Sequence, residues 1–82
     1  MERLTFLKQL ASKYGRIPES FGPETEFSAM DMDSYDIVDF MLEVEDAYGI
    51  VAADEALLSV NCMRDVEALI DQCMKEEYKN HA

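Results

Sequence analysis

Asp33-Ser34-Tyr35-Asp36-Ile37-Val38-Asp39-Phe40-Met41-Leu42-Glu43-Val44-Glu45-Asp46-Ala47-Tyr48-Gly49-Ile50 is the stretch whose reading decides the fold. At about 100° per residue, Asp36, Asp39, Glu43 and Asp46 recur at helical spacing and fall in one narrow stripe. Ile37, Met41, Val44 and Tyr48 form a second stripe, extended by Val38 and Leu42. Together they define an amphipathic helix with a strongly acidic face. Asp33 or Ser34 can accept a hydrogen bond from the free N–H groups of the first turn, and Gly49 can take the left-handed conformation that stops a helix. The predicted span is Ser34 to Tyr48.

Upstream, Leu4, Leu7, Leu10, Ala11 and Tyr14 repeat at three and four with Phe6 beside them, and Gly15 follows as a stop. This is a first helix, from Leu4 to Tyr14. The segment from Ile17 to Met32 holds both prolines and a glycine and has no clear period, so it reads as a long loop pinned to the core by Ile17, Phe21, Phe27 and Met30. Downstream, Asp54 is placed to cap a short helical turn whose Leu57 and Leu58 reach inward. From Cys62 to Lys79 the residues Cys62, Val66, Leu69, Ile70 and Cys73 keep a helical period, with Met63 and Met74 flanking them and Asn61 as the cap. The residues from Asn80 on are expected to fray. The whole is a small all-α four-helix bundle with a long first loop and a short third helix, one domain over residues 1–82.

The net charge of −11 is unevenly spread. No basic residue lies between Ile17 and Met63, where twelve of the eighteen acidic residues fall. Such a surface repels nucleic-acid phosphates and anionic lipid heads and attracts basic proteins. No run is long and apolar enough to cross a bilayer, and the charged N-terminus lacks the apolar centre of a signal peptide, so a cytoplasmic location is expected. Cys62 and Cys73, eleven residues apart on one helix, are about three turns apart, beyond disulfide reach, and read as buried free thiols.

Nothing in the chain suits catalysis. There is one tail histidine, His81, no glycine-rich phosphate loop and no His–Cys–Asp cluster. A calcium loop starting at Asp31 fails at three positions: Tyr35 at position 5, Asp36 where glycine is required, and Leu42 where a bidentate glutamate is required. No metal is expected.

Ser34 could be no more than a helix cap, the common use of a serine at a helix start. The pattern around it adds a second meaning. An Asp33-Ser34 pair opening an acidic helix, then Asp36, Ile37-Val38, Asp39 and Glu45-Asp46-Ala47-Tyr48-Gly49-Ile50, resembles the acyl carrier protein family, and the likeness runs from about Leu4 to Met74. The resemblance implies a serine carrying covalent 4′-phosphopantetheine from coenzyme A, here Ser34, and acyl intermediates held as thioesters in fatty-acid, polyketide or related biosynthesis. It implies a phosphopantetheinyl transferase and acyl-loading, condensing and acyl-processing enzymes with basic docking patches as partners of a monomeric carrier. The expected docking surface is Asp33, Tyr35, Asp36, Ile37, Asp39, Met41, Glu45 and Asp46. Four positions depart from the family pattern: Tyr35 stands for the usual leucine, Asp31 for a frequent glycine, and Ala52-Ala53 for a frequent Ile-Pro. The alternative from another class is an acidic helical adaptor that binds a basic partner and carries no prosthetic group. Modification of Ser34 separates the two.

Overall fold

The computed structural model describes residues 2–81, with side chains for residues 2–75. Four helices follow in order: α1 (Arg3–Ala11), α2 (Ser34–Tyr48), α3 (Asp54–Ser59) and α4 (Met63–His81). α2 has the bounds its polarity pattern predicted, and α3 is the expected short element. Among the described residues the only extended pairing is an isolated antiparallel bridge between Glu26 and Cys62.

The core forms where the apolar stripes meet. α1 contributes Leu7 and Ala11, α2 contributes Phe40, Met41 and Val44, and α4 contributes Met63, Val66 and Ile70. Leu57 closes the bundle from α3, while Leu58 on the next wheel position is 71% exposed. Both leucines were expected inward, but six residues of helix can turn only one narrow face to the core. A similar correction applies to α2, where Phe40 is buried and Leu42 faces water.

The long loop is an ordered part of the core. Residues Phe27–Met30 form a 3₁₀ turn, and Phe27, Met30 and Met32 are buried, with Ile17 and Phe21 packed against them. The Phe27 ring meets Phe40 edge-on at 5.7 Å between centroids. The Phe27 N–H donates to the Asn61 carbonyl at 2.8 Å, and the Arg64 N–H donates to the Pro23 carbonyl at 2.8 Å. These bonds tie the loop to the start of α4 and satisfy backbone groups that its lack of regular structure would leave open.

Several ends differ from expectation. α1 stops at Ala11 and the chain continues through turns, with the Gly15 N–H bonded to the Ala11 carbonyl at 2.9 Å. Gly15 does not act as a left-handed stop. Its role is close approach, because a Cβ there would lie 2.6 Å from Met32 Cγ and well inside contact with the Met30 carbonyl oxygen. Ala53, not Asp54, is the cap position of α3. Asn61 does not cap α4 with its side chain; instead its N–H donates to the Asp65 carboxylate at 2.8 Å, and its amide reaches back to Ser59. Cys62 therefore lies just outside the helix, and both cysteines are half-buried instead of buried, with no disulfide between them. α4 is helical through His81, past the expected end at Lys79, while the expected fraying at Ala82 lies outside the described residues.

Ion pairs hold α1 in place. Arg3 reaches Glu67 at 3.2 Å and Asp71 at 2.7 Å on α4. The hydrogen bond and charge of Arg3 lower the Asp71 pKa below its ordinary 3.8. The clasp therefore contributes stability above that value and loses it as pH falls through the lowered one. Phe27→Ala should reduce unfolding free energy by about 3–5 kcal/mol, as for deletion of a buried ring, read from urea denaturation followed by helical circular dichroism.

Candidate functional site

The start of α2 is built by two aspartates. Asp33, in extended conformation, occupies the cap position, and its Oδ1 accepts the Asp36 N–H at 2.9 Å. Asp36 returns the bond: its Oδ2 accepts the Asp33 N–H at 3.1 Å. This capping box satisfies two free donors, and both carboxylates sit at the positive end of the helix dipole.

Of the two cap candidates in the sequence, the structure chooses Asp33. Ser34 is the first helical residue and is exposed, and its hydroxyl is not needed to close the helix end. The capping role that would have explained this serine is filled by its neighbour. Immediately upstream, Asp31 has a left-handed φ of 57°, a conformation costly for a residue with a Cβ. The resemblance implies a frequent glycine at this position, and the backbone there has a glycine-like conformation.

The expected surface residues divide into two sets. Tyr35 is 80% exposed, and Asp33, Asp39 and Asp46 also face solvent. Asp36 and Ile37 are half-buried, the first in the capping box and the second against the core. Glu45 accepts the Ala52 N–H at 2.7 Å and so holds the connection after α2. Met41 is 0% exposed and belongs to the core, so it is removed from the surface set. The apolar residue that the helix turns outward is Leu42, at 51%. The sequence holds the signal for this: Leu42 is seven residues from Tyr35, on the same line of the helix as Asp39 and Asp46.

The acidic stripe is interrupted as well. Glu43 accepts the Tyr14 hydroxyl and pairs with Lys13 at 2.6 Å, joining α2 to the segment after α1. What remains open on α2 is the alternation Tyr35, Asp39, Leu42, Asp46. Among the described residues no group of histidine, cysteine and acidic side chains could hold a metal ion, and no helix is long and apolar enough to cross a membrane.

Comparison with known proteins identifies the family and the fold. The model of the phosphopantetheine attachment site family matches residues 5–70. No curated protein sequence matches significantly. Among solved structures, the crystal structure of an acyl carrier protein from Thermotoga maritima is similar, with a TM-score of 0.77 and 23% identity over 89% of this chain and 87% of that one. At that identity the likeness speaks to the fold.

If Asp33 closes the helix, Asp33→Ala should destabilise the domain by about 1 kcal/mol, whereas Ser34→Ala should change it by only a few tenths. Paired chemical denaturation curves test this, and equal losses would return the capping role to Ser34.

Proposed function

We propose, since the chain belongs to the phosphopantetheine attachment site family, that Ser34 is its attachment residue and that it works as a discrete acyl carrier protein. Members of the family carry covalent 4′-phosphopantetheine, and the chain is a carrier of that kind. The observation that carries the assignment is an exposed hydroxyl on the first residue of α2, next to a cap already formed by Asp33 and Asp36. A phosphate on Ser34 would lie at the N-terminal end of α2, where the helix dipole favours an anion.

The arm, once attached, supplies a thiol that holds acyl groups as thioesters. The chain itself supplies the hydroxyl and its presentation. In modification, the Ser34 oxygen forms the new P–O bond, the pyrophosphate link of coenzyme A breaks, and adenosine 3′,5′-bisphosphate leaves. The hydroxyl proton goes to a base on the transferase, since Asp33 and Asp36 are engaged with each other's N–H groups. No catalysis is assigned to the carrier.

Its other task is to be recognised. Tyr35 and Leu42 offer apolar contact, Asp39 and Asp46 offer charge, and Asp33, Asp36, Ile37 and Glu45 border them. Exposed acids of this kind speed and orient encounter with basic partners more than they tighten the complex. A carrier that visits several enzymes and leaves each is well served by that balance. The cargo is acyl groups of fatty-acid, polyketide or related biosynthesis.

Intact mass after incubation with coenzyme A, magnesium and a permissive phosphopantetheinyl transferase should rise by one phosphopantetheine, and Ser34→Ala should abolish the gain. An unmodified chain that is folded and helical would favour the acidic adaptor. Asp39→Lys should slow modification about tenfold at low salt and much less at high salt. Leu42→Ala should raise the transferase KM, and an unchanged KM would remove Leu42 from the docking face.

A further inference from the structure

We propose that Gly15 is a positioning residue for Ser34. The inference rests on the reading of Ser34 as the attachment residue and concerns how that hydroxyl is held.

The chain leading into α2 passes directly over Gly15. A Cβ on Gly15 would stand 2.6 Å from Met32 Cγ and far inside contact with the Met30 carbonyl oxygen. Met30 cannot move aside cheaply, because the atom in the way is backbone and already accepts the Arg16 N–H at 2.8 Å. Asp31 is held in its left-handed conformation between bonds from its own N–H to Ser28 and from the Met32 N–H to Phe27. Met32 is buried, and the next residue is Asp33, whose carboxylate caps α2.

From Met30 to Ser34 the backbone therefore has no slack. It is fixed at one end against Gly15 and Arg16 and at the other by the capping box. A side chain at position 15 pushes the Met30 carbonyl, and the displacement passes through Asp31 and Met32 to Asp33 and Ser34. The body of α2 is anchored separately by Phe40 and Val44 in the core. Tyr35, Asp39, Leu42 and Asp46 keep their places, so presentation of the hydroxyl is separated from docking.

The test is steady-state modification by the transferase with coenzyme A and magnesium, comparing the unmutated chain, Gly15→Ala and Ile70→Val. Ile70→Val serves as a control that loosens the core on α4. Gly15→Ala should lower kcat about tenfold, the scale of misplacing a reacting group by a fraction of an ångström, since a full ångström can cost about a hundredfold, with KM little changed. In ¹⁵N spectra of the same proteins, the Asp33 and Asp36 amide signals should shift in Gly15→Ala and stay in place in Ile70→Val. Gly15→Ala with Met32→Ala removes one of the two clashes and should recover part of the rate. If Gly15→Ala alone does not fold, Met32→Ala and the double variant make the comparison.

An unchanged kcat with unmoved Asp33 and Asp36 signals overturns the proposal. A rate loss matched by Ile70→Val at equal melting temperature also overturns it, since the effect would then be stability alone. Absence of any mass gain in the unmutated chain would count against Ser34 as the attachment residue instead. The amide shifts would still decide whether Gly15 sets the geometry of the α2 start.

Discussion

Phe27 is the contact on which the arrangement depends. Its ring packs on Phe40 of α2 while its backbone N–H bonds to Asn61 ahead of α4. One loop residue thus joins α2 to the chain ahead of α4. A domain this small has few core residues to spare, and a loop that contributed none would leave α2 and α4 with an open seam. With Phe27, Met30 and Met32 in place, the connection serves as a packing element, and the helix carrying Ser34 starts from a fixed point.

Two uses of acidic residues are combined on α2. Asp33 and Asp36 close its first turn, Glu43 binds Tyr14 and Lys13, and Glu45 holds Ala52. These four side chains are structural before they are anything else. Asp39 and Asp46 are left to act outward, beside Tyr35 and Leu42. A helix face read only from charge spacing thus overstates how much of it is available to a partner.

That distinction marks what the sequence could and could not disclose. The bounds of α2, the short α3 and the anchoring of the loop by Phe27 and Met30 were legible, because apolar period and glycine position act locally. Ser34 stood out through its setting. The roles of Met41 and Leu42 were not legible in the same way: adjacent apolar residues on a wheel differ by where the neighbouring helices lie, which is a tertiary fact. Asp33 and Ser34 were equal cap candidates until the Asp36 bond distinguished them. Gly15 read as a stop because a glycine after a helix commonly is one, whereas its use depends on Met30 and Met32, fifteen or more residues away in the chain.

With Glu43 bound to Tyr14 and Lys13, the docking face proposed for this helix is left with two separated acids. Asp39 and Asp46 are seven residues apart, or about 10 Å along the axis, slightly more than the Debye length of about 8 Å at physiological ionic strength. At a distance they attract as one charge, but near contact they are felt as two separate points with Leu42 between them and Tyr35 beyond one end. The order aromatic, acid, aliphatic, acid has a direction. In the docking proposed above, a partner arriving end-for-end would set a cation against Leu42 and apolar groups against the two carboxylates, so arrival is governed by the two acids and residence by whether the orientation is correct.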